Sequence, residues 1–244
     1  MVNTRIVGKD ARTRGKGYLC RQYKGGVGKS TLSVYLADFL RHHFRRRNIM
    51  LLDTDPQATA FEMLEPISGN GTIKHLPVGD RYDGVSMSTL DGMLRRNLAD
   101  DNSITIIDTG AGKLGQFWQM VMLCDTLLVP TSMSWTDLRP TLDFIREIDE
   151  RKDEQTIIKP HVVVIPNRVS PHQRNFSPIS EALADVNAIM APPISDLSAA
   201  RGQHSGFEGI KGVEGTRFHQ EIERLGQFII DYVVSGELDR MYAP

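Results

Sequence analysis

The chain has 244 residues, of which 40% are hydrophobic and 24% charged, so it holds enough apolar material for a sizeable core without a disulfide or metal staple. Its net charge of −1 excludes attraction to nucleic acid by bulk charge, so any such binding must come from a local patch. Two cysteines, Cys20 and Cys124, are too few for a disulfide framework or thiolate metal site and are interpreted as buried hydrophobes in a reducing compartment.

Residues 1–17 are predicted to be a flexible basic arm, because they combine several cations with no apolar stretch. A secretory signal needs such a stretch, so the segment is not one. No window approaches the roughly 18 consecutive apolar residues of a membrane-spanning helix. We therefore expect a cytoplasmic protein without membrane insertion and with one domain over residues 18–244. The cations of the arm are Arg5, Lys9, Arg12, Arg14 and Lys16.

Short apolar segments alternate with helical patterns along the rest of the chain. The first strand is more polar than a buried parallel strand should be, because it contains Arg21 and Gln22. Strands separated by helices form βαβ units, which predicts an α/β fold: a mostly parallel sheet with helices on both faces. The predicted strands are Tyr18–Tyr23, Ile49–Leu52, Ile73–Val78, Ile104–Ile107, Thr126–Val129 and His161–Ile165. The predicted helices are Thr31–Phe44, Ser88–Leu98, Trp135–Glu150, Ile179–Val186 and Arg217–Val234.

A glycine-rich motif lies between the first predicted strand and the first predicted helix. Glycines let the backbone curl so that successive N–H groups face a phosphate at the positive end of the helix. Lys29 is suited to neutralise the β- and γ-phosphates, and Ser30 to offer its hydroxyl to Mg²⁺. The alternative, a plain glycine-rich turn with a solvated lysine, is disfavoured by the helix that follows. The predicted nucleotide-binding residues here are Gly25, Gly26, Val27, Gly28, Lys29, Ser30 and Thr31.

A second lysine, Lys24, opens this motif, and Tyr23 stands where the usual P-loop has glycine. At this point the sequence resembles the ParA/MinD family of deviant Walker-A ATPases, whose loop reads K-G-G-x-G-K-[ST]. The resemblance implies a P-loop NTPase fold with ATP and Mg²⁺ as ligands. It also implies that Lys24 reaches across a nucleotide-sandwich homodimer to the partner's phosphates and takes part in catalysis with Lys29. Tyr23 departs from the Gly, Gln or Pro that family members commonly have there.

The segment Leu51–Gln57 carries two aspartates, Asp53 and Asp55, at the end of a predicted strand. Side chains at i and i+2 of a strand point the same way, so two carboxylates there can organise Mg²⁺ and a water molecule. The segment resembles the family's D-x-D-P-Q motif. That resemblance implies that Asp55 positions the hydrolytic water and that Asp53 supports the metal sphere. The alternative is an aspartate that only caps a turn before proline.

The strand Ile104–Ile107 is followed directly by Asp108, as a Walker B motif requires. Asp108 is therefore predicted to hold Mg²⁺ through water. In the family the next residues usually read D-x-P-P and sense the γ-phosphate, whereas here Gly110-Ala111-Gly112 follow. This departure leaves the switching behaviour of the loop open.

Two further segments resemble the family. Leu127–Thr131 matches the strand and proline that follow Walker B, and Ile165–Val169 matches an adenine-contacting N-R segment. An amide offers both a donor and an acceptor to the adenine edge, so Asn167 is predicted to contact adenine, with Arg168 beside it. An ordinary asparagine turn is the alternative.

Two sets of basic residues bear on the cargo of such an ATPase. The run Arg41–Arg47 ends the first helix, where cations are favoured by the helix dipole, so a solvated cap competes with a phosphate-binding patch. The second set lies in the C-terminal part, where ParA relatives carry a non-specific DNA-binding surface. Each patch doubles on dimerisation, which would make DNA binding depend on ATP. The second set is Arg201, Lys211, Arg217 and Arg224.

The resemblance thus implies an ATP-hydrolysing, dimerising switch for plasmid or DNA partition, stimulated by an adaptor protein and associated with the nucleoid. One alternative is a positioning ATPase for a protein or membrane-associated cargo, as in MinD. The tail Ser235–Pro244 is neither basic nor strongly amphipathic, which makes it a poor membrane anchor. A metabolic P-loop ligase or kinase is the other alternative, but no histidine stands in a recognisable catalytic constellation.

Overall fold

The computed structural model describes residues 16–21, 25–68, 72–78, 85–112, 115–155, 159–170, 172–173, 175–195 and 207–234. They form a sheet of seven strands in which every neighbouring pair is parallel, in the order β3-β2-β4-β1-β5-β6-β7. The strands are β1 (Lys16–Cys20), β2 (Asn48–Asp53), β3 (Ile73–His75), β4 (Ser103–Asp108), β5 (Thr126–Thr131), β6 (His161–Pro166) and β7 (Ala188–Met190).

Helices connect the strands and cover the sheet. They are α1 (Lys29–His43), α2 (Thr59–Ser68), α3 (Met87–Ala99), α4 (Trp118–Leu123), α5 (Trp135–Gln155), α6 (Ser177–Leu183) and α7 (Arg217–Phe228). Two short 3-10 turns, Gly115–Phe117 and Lys211–Val213, precede α4 and α7, and a π-helical turn, Ile229–Val234, follows α7. Within the described residues, no helix is both long and apolar enough to cross a membrane.

Alternating side chains of the strands feed two separate cores. Tyr18 and Cys20 of β1 pack with α1, α2 and α7 on one face of the sheet. Leu19, between them, packs with α3, α4, α5 and α6 on the other face. This period of two is what a strand covered on both sides requires. The prediction of a parallel α/β sheet with helices on both faces is confirmed.

The first strand differs from its predicted bounds. It begins at Lys16, so Lys16 and Gly17, which were expected in the basic arm, pair with β4 instead. Gly17 donates its N–H to the carboxylate of Asp125 at 3.0 Å, and a Cβ at this glycine would lie 3.3 Å from Leu98. Glycine therefore serves close packing here, a requirement that the charge count of the arm does not reveal. Residues 1–15 lie outside the described residues.

Several short elements were not predicted. α2 contains Pro66, a residue that normally ends a helix. α4 has six residues and β7 has three, so both are too short to show a clear apolar period. β3 is shorter than the predicted strand and ends at His75. Val78 forms only an isolated bridge to Val85.

The carboxyl ends of three adjacent strands bring the predicted motifs together. β4 lies between β2 and β1, with Asp108 opposite both Asp53 and Cys20 in the register. The turn after β1 leads into α1 at the same edge. Since β1 also pairs with β5, the chain order reverses here, and crevices for ligands form at such points in parallel sheets.

Candidate nucleotide-binding site

The turn that enters α1 depends on glycine backbone geometry. Gly26 and Gly28 have φ angles of 74° and 89°, in the left-handed region that side chains other than glycine rarely adopt. Gly28 immediately precedes α1, and no side chain caps the start of this helix. Gly28 thus offers no side chain to the first N–H groups of α1, and an anion is favoured at a helix end of this kind.

The first turn of α1 carries the predicted phosphate and metal ligands. The side chain of Lys29 is buried, with 7% exposed, whereas Ser30 and Thr31 are half-buried. Lys29 lies close enough to Asp108 for its positive charge to favour the ionised form of the Asp108 carboxylate. The structure thus brings Lys29 and Asp108 together at this edge of the sheet. Tyr23 and Lys24 lie outside the described residues, so the role of Lys24 remains a prediction.

Asp108 is fully buried at the end of β4. Ser33 donates its hydroxyl to Oδ1 at 3.0 Å, and Oδ2 has no hydrogen-bond partner among the described residues. Burial raises the pKa of this carboxyl to about 7, and the carboxylate of Asp53 adds to the rise. The nearby hydroxyls of Ser30 and Ser33 and the charge of Lys29 oppose it. A buried acceptor atom without a donor suits a hydrated cation.

The surroundings of Asp108 show which metal ion its carboxylate would fit. Within the part of the chain that the structure describes, no cluster of three or more His, Cys, Asp or Glu side chains could hold a metal ion. Mg²⁺ differs from zinc in this respect, because it keeps several waters and commonly uses one or two carboxylates together with substrate phosphates. The residues present, Asp108 and the hydroxyl of Ser30, therefore fit magnesium bound with a nucleotide.

Asp53 organises the loop that carries Asp55. Its Oδ1 accepts the N–H of Asp55 at 3.0 Å and its Oδ2 accepts the N–H of Phe61 at 2.9 Å. Burial raises the pKa of Asp53, and these two N–H donors oppose the rise. Both carboxylate oxygens thus accept hydrogen bonds from backbone N–H groups. A place for Asp53 in the metal sphere remains a prediction.

Asp55 is half-buried and faces the segment that follows Asp108. Its Oδ1 accepts the N–H of Gln57 at 3.0 Å, which folds the turn back on itself. A Cβ at Gly110 would lie 3.4 Å from the other carboxylate oxygen. The segment that departs from the family's usual motif therefore passes beside the carboxylate of Asp55.

Asn167 lies at the end of β6 but contacts the glycine-rich turn, residues 25–28, that precedes α1. Its Nδ2 donates to the carbonyl oxygen of Val27 at 2.6 Å. Its Oδ1 is buried and has no hydrogen-bond partner among the described residues. Arg168 is exposed, with a left-handed φ of 56°. Asn167 thus couples the two segments, and its unused acceptor is suited to an amino group of a base.

Sequence reasoning missed three hydroxyl groups at this edge. Ser33, one turn after Lys29 on α1, bonds Asp108; its signal is a serine on the buried side of an amphipathic helix. Thr54 donates to the carbonyl oxygen of Asp108 at 2.8 Å. Thr109 donates to the carbonyl oxygen of Cys20 at 2.9 Å. The two threonines directly follow strand-end aspartates, which marks them as candidates for joining neighbouring strands.

Two of the basic residues pair with buried carboxylates. Arg41 pairs with buried Asp38 at 2.7 Å, and Arg217 pairs with buried Glu221 at 2.8 Å. Each of these two arginines therefore neutralises a buried carboxylate of the fold. Arg217 is nevertheless exposed, as are Arg45, Arg46, Lys211 and Arg224.

One groove brings parts of the two basic sets together, because α7 packs against α1. Its lining includes His43 from the end of α1 and Arg224 from α7. Arg201 and the tail Ser235–Pro244 lie outside the described residues. The full lining is Phe39, His43, Gln220, Glu223, Arg224 and Gln227.

Comparisons with known proteins agree with this geometry. Residues 22–200 match the CobQ/CobB/MinD/ParA nucleotide binding domain. No curated protein sequence matches the chain significantly.

Solved structures share the fold at low identity. A chain of the MinC:MinD cell division protein complex of Aquifex aeolicus aligns with a TM-score of 0.66 and 14% identity, over 88% of this chain and 96% of that one. MinD of Pyrococcus horikoshii with Mg-ADP aligns at 0.63 and 15%, over 91% and 98%. A plasmid partition protein of Borrelia burgdorferi bound to AMPPNP aligns at 0.60 and 16%, over 91% and 100%.

Proposed function

The chain belongs to the CobQ/CobB/MinD/ParA nucleotide-binding family, and on this premise we propose that it is an ATP-hydrolysing, dimerising switch for plasmid or DNA partition. The observation that carries the proposal is the meeting of Lys29, Asp55 and Asp108 at one sheet edge, around a glycine turn shaped for phosphate. These are the groups that bind a nucleoside triphosphate, hold its cation and orient a water molecule.

Each residue has a distinct task in this proposal. The backbone of Gly25–Gly28 and the charge of Lys29 bind the phosphates, and the buried oxygen of Asp108 binds a hydrated cation. Asp55 orients the attacking water, and Asn167 accepts a hydrogen bond from the adenine amino group. Mg²⁺, when bound with the nucleotide, supplies positive charge to the phosphates.

Dimerisation links the site to the cargo. ATP closes a homodimer in which each Lys24 completes the site of the other subunit, and hydrolysis, accelerated by an adaptor protein, reopens it. In the closed dimer, both subunits then present the exposed cations Arg45, Arg46 and Arg224 to DNA phosphates. Doubling a patch strengthens binding without any new contact within a subunit, because the second contact becomes intramolecular.

A second candidate is a positioning ATPase for a protein or membrane-associated cargo. The likeness to a chain of the MinC:MinD cell division complex favours it. The nucleotide site is the same in both candidates, so they differ in what the closed dimer binds. The exposed cations favour DNA over the alternative.

Fluorescence anisotropy of a labelled random-sequence duplex tests the proposal, with ATP–Mg²⁺, ADP–Mg²⁺ or no nucleotide. We expect binding only with ATP, and loss of it in Lys24→Ala, which prevents closure. Lys29→Ala, which prevents nucleotide binding, is the control. ATP-driven dimerisation without DNA binding in any condition would contradict the DNA function and favour the second candidate.

A further inference from the structure

Arg21 occupies an unusual position for a charged residue. It directly follows β1, its N–H donates to the carbonyl oxygen of Leu128 at 3.1 Å, and only 1% of the residue is exposed. Arginine is almost never fully buried unless its charge is used by neighbouring groups. The polarity that looked anomalous for a buried strand therefore belongs to the edge where the strand ends.

The side chain of Arg21 joins two parts of the chain that follow Asp108. Its Nη2 donates to the carbonyl oxygen of Gly112 at 3.1 Å. Its guanidinium carbon lies 4.1 Å from the centre of the Phe117 ring, at the residue before α4. A guanidinium combines a planar donor fork with a face that stacks on an aromatic ring, and lysine offers no such combination.

The segment that Arg21 holds is also the one that faces Asp55. A Cβ added at Gly110 would lie 3.4 Å from the Asp55 carboxylate, and one added at Gly25 would lie 4.0 Å from the Cβ of Ala111, so this segment passes beside both residues. At its start, the hydroxyl of Thr109 bonds the carbonyl oxygen of Cys20 at 2.9 Å. Residues 109–112 thus lie between Asp55 and Arg21. Because Gly112 is only two residues from Gly110, a movement of Gly112 should also move Gly110.

We propose that Arg21 is a positioning residue for hydrolysis. It holds Gly110–Gly112 against the carboxylate of Asp55 and fixes this segment to the start of α4. The inference rests on the proposed function, in which Asp55 orients the water molecule. Arg21 itself touches neither water nor phosphate in this scheme, so its loss should change turnover more than nucleotide affinity.

Single-turnover hydrolysis and nucleotide titration test the inference together. In Arg21→Met we expect turnover to fall about tenfold, because small misplacements of catalytic groups are costly, while the Kd for ATP stays within about twofold. Arg21→Lys should recover part of the loss, since it keeps a donor for Gly112. Phe117→Leu, which alters the contact from the other side, should lower turnover in the same direction. Arg151→Met is the matched control, because the guanidinium of Arg151, on α5, lies 5.2 Å from the ring centre of Trp118, the first residue of α4.

Trp118, next to Phe117, gives a signal that a purely structural role would not change. The chain has two tryptophans, so Trp135→Phe leaves Trp118 as the only reporter. In that background we expect its emission to differ between ATP–Mg²⁺ and ADP–Mg²⁺. The difference should vanish in Arg21→Met and persist in Arg151→Met.

Three results would overturn the inference. The first is unchanged turnover in Arg21→Met and Phe117→Leu. The second is a loss of ATP affinity as large as the loss of turnover. The third is a Trp118 emission in the Trp135→Phe variant that stays the same with ATP–Mg²⁺ and ADP–Mg²⁺, although the variant binds both. A wild-type chain that binds ATP without hydrolysing it would contradict the proposed function instead. In that case the emission of Trp118 still decides whether Arg21 couples the site to α4.

Discussion

The two ends of α1 differ in how their cations are held, and in the proposed function they bind phosphate in two different ways. Its first turn places Lys29 in a buried site where Asp108, Ser33 and Asn167 are fixed by hydrogen bonds. Its last turn lies about 22 Å away, at 1.5 Å per residue. The exposed cations Arg45 and Arg46 follow it. The first end depends on fixed geometry, whereas the second depends on the number of charges. Single substitutions should therefore have large effects at the first end and small, additive effects at the second.

Removal of the Asp55 carboxylate should give the largest effect. In Asp55→Ala we expect turnover to fall by about 10²-fold or more, because an oriented acid–base group contributes on that scale. The closed ATP-bound dimer should then persist. Quenched-flow measurement of phosphate release, with dimerisation followed by light scattering, checks both effects. Gln57→Ala is the control, because the side chain of Gln57 is exposed on the same turn. Normal turnover in Asp55→Ala would refute the water-orienting role.

The buried charge of Asp108 should make the nucleotide-free protein less stable. Burial raises the pKa of Asp108 to about 7, above the value of about 4 expected in the unfolded chain. The folded state therefore binds more protons between these values, and stability falls as the pH rises through this window. Above pH 7, the free energy of unfolding of Asp108→Asn should exceed that of the wild type by on the order of 4 kcal/mol, which raises the unfolding temperature. The gain should vanish below pH 4.

Thermal unfolding from pH 4 to pH 8, with and without ATP–Mg²⁺, measures this effect. The same variant should lose the extra stability that ATP–Mg²⁺ gives the wild type, because the metal-binding oxygen is gone. Asp101→Asn is the matched control, since Asp101 is exposed. An equal decline of wild type and Asp108→Asn with rising pH would contradict a buried charge cost at this position.

The contrast also explains what could be predicted from the sequence. The phosphate-binding turn, Asp55 and Asp108 follow local rules, because glycines, strand ends and helix starts are written in short segments. The parallel sheet then brings these segments together, since all its strands end at one edge. Lys29 and Asp108 could thus be paired before the structure was known.

Features that depend on distant packing could not be predicted. Arg21 looked like a flaw in a strand, because its contact with Gly112 joins segments 91 residues apart. The start of β1 at Lys16 depends on Leu98 and Asp125 packing against Gly17. The groove between the two basic sets likewise requires α7 to pack on α1. None of these contacts leaves a pattern within a window of one element.

The exposed end of α1 should show the smallest and most additive effect. Arg45→Ala combined with Arg46→Ala should weaken DNA binding in ATP and reduce the slope of log K against log salt by about 0.9 for each lost phosphate contact. Anisotropy titrations at several salt concentrations measure that slope. Arg95→Ala with Arg146→Ala removes the same charge from exposed positions on α3 and α5, which cover the other face of the sheet. Equal slopes for the two double variants would mean that only net charge matters, and that the end of α1 does not touch DNA.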